Sequence, residues 1–380
     1  MPVYLDHAAG GPLHPAAAAA MQSWLAHGYG NPSGSHSVAR RAQAAVEDAR
    51  EAVAAFLGAD PGGVVFTSGG TEADNLAVLG PLAARGGPGA VAVSAVEHPA
   101  VLEAARAARR GGWEVRAIGV GTDGQVDFDA MRANLDREVV LVSVQTANHE
   151  TGVVQPIEEI ARRVRKWAPG AVLHTDAVQA AAWMDLAEVA AAADLVTISG
   201  HKIGGPQGVG ALGIRHGVGL APLIHGGGQE RELRSGTHNV AGIVGLAAAA
   251  EAVTAERVAR EAIVRDRRDL LAALIEQEVP GAVNTAAGAP RLPGHCHFRF
   301  PGVESEALLF MLDERGVCAS AGAACASGAV EPSPVLLAMG VGKAEAGSAL
   351  RLTLGPDTTE EEVRAAAAAV AESVRLLREG

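Results

Sequence analysis

Lysine is scarce in this sequence, and one lysine stands in a context suited to amine chemistry. The 380 residues include three lysines, Lys166, Lys202 and Lys343, among 31 basic side chains. Arginine supplies charge but cannot be deprotonated to form an imine, whereas lysine can. Lys166, in RRVRKW, and Lys343, in MGVGKAEAG, are interpreted as solvated charges. Lys202 follows an apolar run, in TISGHKIGG, and is the candidate for amine chemistry.

A carboxylate ends another apolar run. Asp176 lies in VLHTDAVQA, at the predicted end of a strand, where open α/β sheets bind ligands. A carboxylate there can hold the nitrogen of a heteroaromatic ring protonated, and Gln179, three residues on, can reach a ring hydroxyl. The alternative for Asp176 is an ordinary helix cap, and Gln179 alone would be an ordinary helix residue.

A glycine-rich turn between a predicted strand and helix offers an anion site. In FTSGGTEADN, residues 66–75, Gly70 lets backbone N–H groups approach an anion at the helix N-terminus. Thr71 adds a hydroxyl group. Ser199 and His201, which flank the lysine, can supply further donors. The sequence therefore predicts a phosphate cradle, although many tight turns share this pattern.

A histidine completes the set of features that one cofactor requires. His98, in AVEHPAV, can stack on a ring, or it can cap the helix that Pro99 begins. Pyridoxal phosphate needs a lysine amine, an anion beside its pyridine nitrogen, a phosphate cradle and a stacking group. We therefore predict a pyridoxal-phosphate enzyme that carries its cofactor as a Schiff base on Lys202.

Apolar runs that alternate with helical patterns predict an α/β fold with a mostly parallel, seven-stranded sheet and a smaller α+β part towards the C-terminus. The predicted large domain spans residues 15–255, and residues 1–14 and 256–380 form the predicted small domain. The predicted strands are 63–67, 90–95, 114–119, 139–146, 171–175, 195–199, 209–214, 295–300, 317–320 and 349–354. The predicted helices are 15–29, 37–57, 71–82, 100–110, 127–135, 157–167, 236–277, 305–314 and 359–378.

Composition excludes several classes of function. The formal net charge of −12 disfavours direct binding of nucleic acid, which depends on Lys and Arg at phosphates. The first residues lack the pattern of a signal peptide, and no apolar run approaches the roughly 18 residues of a membrane span. Three cysteines without a CxxC motif favour a reduced cytoplasm over a disulfide framework.

Along nearly its whole length the chain closely resembles the cysteine desulfurases, which are fold type I pyridoxal-phosphate enzymes of the class V aminotransferase-like superfamily. The motifs that carry the resemblance are YLDHAA, GNPSGSH, FTSGGTEADN, EHPAV, SGHK, GGGQERELRSGT, SAGAACASG and ALRLTLG. The segment around SAGAACASG, which continues as AVEPSPVLLAMG, is similar to the group with a long catalytic loop. That group hands a persulfide directly to acceptor proteins.

The resemblance implies a role for each candidate residue. Lys202, His98 and Cys325 would be catalytic, with Cys325 as the sulfur acceptor. The L-cysteine carboxylate would be held by Arg351, Asn148 and His149. Thr237 would reach the phosphate in the other subunit, which implies a homodimer. The cofactor contacts would come from Gly70, Thr71, His149, Asp176, Gln179, Ser199, His201, Lys202 and Thr237.

The cysteines can also be judged from their surroundings. Cys325 lies in a run of small residues, which suits a tether that collects sulfur and delivers it elsewhere, although a buried small hydrophobe is the alternative. Cys318 and Cys296 lie in apolar runs and are predicted to be structural. His295-Cys296-His297 is not predicted to bind metal, because a strand points its cysteine away from both histidines.

Two departures from the family pattern affect the predicted site. His149 stands where the family usually has Asn, which puts that contact in doubt, and AAGG at 8–11 replaces the usual AATT near the predicted substrate entrance. The predicted activity is conversion of L-cysteine to L-alanine with persulfide transfer to an acceptor protein, as in iron–sulfur cluster assembly. Selenocysteine lyase or another class V reaction, such as transamination, is the alternative, and the acceptor is not identified by the sequence.

Overall fold

The computed structural model describes residues 2–322 and 332–379. Its strands are β1 (Val3–Tyr4), β2 (Val64–Thr67), β3 (Ala90–Ser94), β4 (Glu114–Ile118), β5 (Val139–Ser143), β6 (Val172–Asp176), β7 (Leu195–Ser199), β8 (Gly210–Ile214), β9 (Val283–Asn284), β10 (His295–Arg299), β11 (Val317–Cys318) and β12 (Ala349–Thr353). Its helices are α1 (Pro15–His27), α2 (Ser37–Leu57), α3 (Gly70–Arg85), α4 (Pro99–Arg110), α5 (Phe128–Asn134), α6 (Ile157–Trp167), α7 (Leu186–Ala192), α8 (Val240–Glu278), α9 (Ser305–Glu314), α10 (Pro334–Ala338), α11 (Lys343–Ala346) and α12 (Glu360–Glu379).

The predicted seven-stranded sheet is confirmed. Its strand order is β2-β8-β7-β6-β5-β3-β4. Strands β4, β3, β5, β6 and β7 run parallel, whereas β8 is antiparallel to both of its neighbours. Strands β3, β5 and β7 are buried along their whole length, as expected for apolar strands covered on both faces. The parallel strands therefore present their carboxyl ends at one edge.

Helices cover both faces of this sheet. One face packs against α2, α6, α7 and the first part of α8 in a large apolar cluster that includes Val46, Ile160 and Leu246. The other face packs against α3 and α4 through Val78, Leu82 and residues of α4. Alanine, valine and leucine fill most of these positions, in keeping with a chain that has 3% aromatic residues.

A second core lies around the sheet β12-β10-β9. Its buried residues come from the second part of α8, from β10, β12, α9 and α12, and from Leu5. Strand β1 pairs in parallel with β11, so Val3 and Tyr4 lie against this core. The predicted division at residue 255 falls inside α8 and stays a prediction, because α8 contributes buried residues to both cores.

Several element bounds differ from the predictions for local reasons. The strand predicted over 139–146 ends at Ser143, and the helix predicted from 236 begins at Val240, where the Asn239 side chain accepts from Gly242 N. Helix α7 was not predicted within its alanine-rich stretch; Asp185 caps it by accepting from Ala187 N at 3.0 Å. Across residues 2–322 and 332–379, no helix has both the length and the apolar character needed to span a bilayer.

A strained segment precedes α8. Glu230, Arg231 and Glu232 have φ values of 51°, 56° and 67°, a left-handed conformation that is uncommon outside glycine. The Glu230 carboxylate accepts from both terminal nitrogens of Arg50 at 2.8 Å and from Phe66 N at 2.8 Å. His238 Nε2 lies 2.6 Å from the same carboxylate. These contacts lower the pKa of Glu230 to about 2 despite its burial and hold the segment in place.

Candidate active site

A cavity of about 360 Å³ opens at the carboxyl edge of the central sheet. The ends of β6 and β7, the segment after β5 and the N-terminus of α3 form its walls, which is where open α/β sheets bind ligands. Ten of the predicted site residues line it: Gly70, Thr71, His98, His149, Asp176, Gln179, Ser199, His201, Lys202 and Arg351. The remaining lining residues include Asp6, Asp74, Gln145, Ser320 and Gly322.

The Lys202 amine lies inside this cavity, in a short 3-10 turn directly after β7. Its Nζ donates to the carbonyls of Ala8 and, at 2.9 Å, of Ala9. These acceptors are the two alanines of the AAGG segment, whereas the departure from the family pattern lies in the two glycines that follow them. Burial, followed by the nearby Arg351, lowers the pKa of Lys202 to about 8. A larger share of neutral amine is thus present near neutral pH than at an exposed lysine.

Asp176 occupies the last position of β6 and is buried. Its Oδ1 accepts from Val178 N at 2.8 Å, which fixes the carboxylate. Burial raises the pKa of Asp176, whereas His98 and Lys202 nearby lower it. Gln179 Nε2 donates to Ala8 O at 2.9 Å, so Gln179 and Lys202 share an acceptor.

One part of the cavity wall offers hydrogen-bond donors suited to an anion. Helix α3 begins there at Gly70, and its N-cap residue Gly69, with φ of 153°, offers no side chain to the free N–H groups. A Cβ at Gly70 would lie 2.9 Å from Val178 Cγ2, so a larger residue there would require the Val178 side chain to shift. Ser199 Oγ lies 2.9 Å from His201 Nδ1, and Thr71 adds its hydroxyl group.

His98 both caps a helix and lines the cavity, so the two alternatives for this residue are compatible. Its Nδ1 accepts from Ala100 N at 3.1 Å at the start of α4. In the neutral ring the proton then resides on Nε2. The His149 ring meets the His98 ring edge to face, with centroids 5.1 Å apart. Burial lowers the pKa of both rings.

Arg351 comes from β12 and faces the cavity from the second core. Its Nη2 donates to Asp6 Oδ1 at 2.7 Å and its Nη1 donates to His149 O at 2.8 Å. Its Nε has no hydrogen-bond partner among the described residues. Asp6 lies in the motif YLDHAA but was not predicted to be a site residue, because only the fold brings together residues 345 positions apart.

Asn148 is not among the residues that line the cavity, and its role in substrate binding stays a prediction. Its Oδ1 accepts from Glu150 N at 3.0 Å, from Thr151 N at 2.8 Å and from the Thr151 hydroxyl at 3.0 Å. Its Nδ2 donates to Val96 O at 3.1 Å. A buried amide whose oxygen and nitrogen both bond within the chain stabilises the turn at 148–151.

Two further buried carboxyl groups lie near Asp176. Asp74 lines the cavity, and ligand atoms of Asp74, His98 and Asp176 lie within 4.8 Å of one another. Glu97 accepts from Gln145 N at 2.6 Å. Burial and then the proximity of Asp176 raise the pKa of both Asp74 and Glu97 well above the usual range. Neither Asp74 nor Glu97 was predicted to be a site residue, because its spacing within its motif does not set it apart.

Four other predicted residues are not among those that line the cavity. Thr237 is exposed and does not line this chain's cavity. Cys325 lies outside the described residues. Cys296 is buried in the second core, and burial raises the pKa of its thiol to about 12, as a structural role requires. Cys318 is half-buried in β11 rather than fully in a core.

The cavity fits pyridoxal phosphate on the chemistry of its donors. The N-terminus of α3, with Thr71 and Ser199, would hold the phosphate, and Asp176 would face the pyridine nitrogen. One Asp176 oxygen is bonded to Val178 N, which leaves the other for the ring. Lys202 supplies the amine, and His98 lies beside the space for the ring. Each requirement of the cofactor is therefore met within one cavity.

Comparisons with known proteins agree along the whole chain. The sequence model of the aminotransferase class-V family matches residues 3–365. A curated cysteine desulfurase of Nostoc sp. is 42% identical over 381 aligned positions, covering 99% of this chain and 94% of the relative. A solved NifS-like protein matches with a TM-score of 0.91 at 33% identity, covering 99% of this chain and 100% of that one. A solved structure of SspA in complex with cysteine matches with a TM-score of 0.81 at 30% identity, covering 94% and 99%.

The chain belongs to the aminotransferase class-V family, whose members are pyridoxal-phosphate enzymes of fold type I. Within that family it is a member of the cysteine desulfurases. The family, the fold class and the cofactor predicted from the sequence are thereby confirmed.

Proposed function

We propose that this chain converts L-cysteine to L-alanine and transfers the sulfur to Cys325 as a persulfide. The observation that carries the proposal is one cavity that combines the Lys202 amine, the Asp176 carboxylate and the Arg351 guanidinium with Gly322 in its wall. Cys325 follows Gly322 by three residues, so the covalent chain keeps their Cα atoms within ~11 Å. The relatives named cysteine desulfurase, and the related protein solved with cysteine, support the choice of substrate.

The residues divide the reaction between them. When bound, pyridoxal phosphate withdraws electrons from the α-carbon of an amino acid and weakens its Cα–H bond. Arg351 holds the substrate carboxylate through N–H groups not used by Asp6 and His149. The neutral Lys202 amine accepts the α-proton, and its lowered pKa keeps that form available. His98 presents an Nε2–H donor towards the cavity and is suited to proton transfer.

Sulfur transfer balances without an outside oxidant. The Cys325 thiolate attacks the substrate sulfur, forming an S–S bond as the bond between that sulfur and the substrate β-carbon breaks. The electron pair of the broken bond, with one proton, completes the methyl group of alanine, and Lys202 returns a proton to the α-carbon. The products are one alanine and one persulfide on Cys325. An acceptor protein then takes the terminal sulfur.

Assembly and location are part of the same proposal. Thr237, which is exposed on the segment before α8, is proposed to reach the phosphate site of a second copy, as the resemblance to the family implies. The proposal therefore includes a homodimer with shared active sites. The acceptor protein and a location in the cytoplasm complete the proposal, the latter because three cysteines suit a reducing compartment.

Release of alanine and sulfide from L-cysteine, with a reductant present, tests the proposal. We expect activity in the wild type and its loss in Cys325→Ala, while the yellow colour of the bound cofactor remains. Cys318→Ala is the matched control and should keep activity, because that thiol is half-buried in β11. Alanine formation that survives Cys325→Ala would contradict the sulfur-acceptor role. Activity on selenocysteine or an amino-group acceptor, but not on cysteine, would favour the lyase or transaminase alternatives.

A further inference from the structure

A buried carboxyl group lies between the two chain ends that flank residues 323–331. Ser333 Oγ donates to Glu150 Oε2 at 2.5 Å. On the other side, the backbone of Gly322 packs against the same carboxyl group: a Cβ there would lie 3.3 Å from Oε2 and from Cγ. Glu150 is 1% exposed. One side chain therefore contacts both ends of the segment that contains Cys325.

The position of Glu150 is itself fixed by the turn in which it lies. Its backbone N–H donates to Asn148 Oδ1 at 3.0 Å, and Asn148 is anchored in turn on Val96 O. Its Oε1 lies 3.7 Å from His149 Nε2, at the cavity wall. A carboxyl group held on a turn of this kind is a rigid support for whatever binds to it.

Both flanking residues also have defined partners of their own. Ser333 caps α10 by accepting from Leu336 N at 3.1 Å, and α10 packs on Val96 through Val335 and Leu336. Gly322 N donates to Ser320 Oγ at 3.0 Å, and Ser320 pairs with the backbone of Arg351. Gly322 has φ of 90°, a conformation that favours glycine. The two ends thus meet at Glu150, beside the residue that holds the substrate carboxylate.

The geometry points to Glu150 as a positioning residue that joins both ends of the Cys325-bearing segment to the wall of the catalytic cavity. The inference rests on the proposed function, since it concerns delivery of the Cys325 thiol to substrate sulfur. A reacting group whose chain neighbours are fixed beside a site has a smaller entropy cost to reach that site, which raises its effective concentration there. A small misplacement of a reacting group costs up to about 100-fold in rate.

The hydrogen bond from Ser333 to Glu150 can form whether Glu150 is ionised or protonated, and the variants are chosen on that basis. Burial raises the pKa of Glu150 to about 7, against the lowering effect of the Ser333 hydrogen bond. The protonated carboxyl group keeps a carbonyl oxygen that accepts from Ser333. A glutamine has the same shape and the same acceptor, so Glu150→Gln is the conservative variant. Glu150→Ala removes the acceptor, and Ser333→Ala removes the donor.

Single-turnover measurements on the cofactor-loaded enzyme test the inference. L-cysteine is added, and persulfide on Cys325 is followed by rapid quenching, alkylation and mass spectrometry. In parallel, the shift in cofactor absorbance gives the cysteine concentration at half saturation. We expect Glu150→Ala to slow persulfide formation about 10- to 100-fold, with half saturation changed less than about threefold. Glu150→Gln should restore most of the rate.

A double variant separates the proposed contact from general damage to the fold. If the two side chains act through their hydrogen bond, Glu150→Ala with Ser333→Ala should be no slower than the slower single variant. Effects that multiply would overturn the inference, as would an unchanged persulfide rate in Glu150→Ala. A rise in half saturation that accounts for the whole loss would instead make Glu150 a support of the substrate site and would also overturn it. Absence of Cys325 persulfide in the wild type would defeat the proposed function itself.

Discussion

Two groups of buried carboxyl side chains in this molecule differ in how completely they are hydrogen-bonded. Around Glu230, every carboxylate oxygen has a partner, from Arg50, Phe66 N and His238. Around Asp176, three carboxyl groups lie close together, and Asp74 Oδ1 and Glu97 Oε2 have no hydrogen-bond partner among the described residues. The pKa of Glu230 falls to about 2, whereas the pKa values of Asp74, Glu97 and Asp176 rise.

This difference distinguishes a carboxylate that stabilises the fold from carboxyl groups that belong to a functional site. A buried carboxylate with a complete set of donors stays ionised and fixes the chain around it, here the left-handed segment 230–232. Buried carboxyl groups without enough donors are held at a cost in free energy, which is typical of sites prepared for a ligand. A protonated pyridine nitrogen is a donor that Asp176 lacks. Substitutions around Glu230 should therefore affect the free energy of unfolding, and substitutions around Asp176 should affect catalysis.

The largest effect is expected at the catalytic group. Lys202→Ala should lower alanine formation by at least about 10³-fold, because it removes both the attachment of the cofactor and the base. The free energy of unfolding should change by less than about 1 kcal/mol, since Nζ contacts only two backbone carbonyls. Alanine release and urea unfolding measure the two quantities. Lys343→Ala, at an exposed lysine, is the control and should match the wild type in both.

Substitutions in the group around Glu230 should instead lower the free energy of unfolding. Glu230→Ala should lower the free energy of unfolding by about 3–5 kcal/mol, because it leaves the Arg50 guanidinium buried without its main partner. The side chains of Arg50 and Glu230 are 4% and 1% exposed, so water cannot replace the lost contact. Glu47→Ala is the matched control: it also pairs with Arg50, but it is 56% exposed and should cost less than about 1 kcal/mol. Equal losses in both variants would show that the buried pair has no special role.

A gradual effect, spread over several pH units, should appear in the pH dependence of stability. Because the pKa of Asp74 is raised in the folded state, the folded protein binds this proton more tightly than the unfolded chain. Above the unfolded pKa of 3.8, the contribution of Asp74 therefore falls as pH rises, by at most about 1.4 kcal/mol per unit, until the folded pKa is passed. Asp74→Asn removes this dependence.

Urea unfolding of cofactor-free protein at pH 5 and pH 8 measures this dependence. The stability of Asp74→Asn relative to the wild type should increase from pH 5 to pH 8. The difference between two proteins cancels the opposite contribution of buried neutral histidines such as His174, which lose stability as pH falls because the unfolded chain binds their protons. Asp48→Asn, at an exposed position, should show no such trend. A difference independent of pH would mean that Asp74 is ionised in the folded state.

The sequence predicted best what depends on short stretches of chain. Apolar runs gave the sheet strands within one to three residues, and the residues after their carboxyl ends, Asp176 and Lys202, were therefore placed correctly at one edge. Alternation along β10 also predicted that Cys296 faces away from the two histidines, and it lies in the second core. Contacts between distant segments were not predictable. The pairing of Asp6 with Arg351 and the meeting of Gly322 and Ser333 at Glu150 follow only from the fold.

Helix α8 has a consequence for how the protein is assembled from its parts. Its 39 residues supply Leu246 and Val253 to one core and Val264, Leu271 and Ile275 to the other. A fragment that ends near residue 255 would expose apolar surface at its cut end, and the complementary fragment would begin with half a helix. Neither core is therefore a self-sufficient folding unit. Unfolding of one core should destabilise the other because both include α8. The chain should therefore unfold in a single cooperative transition.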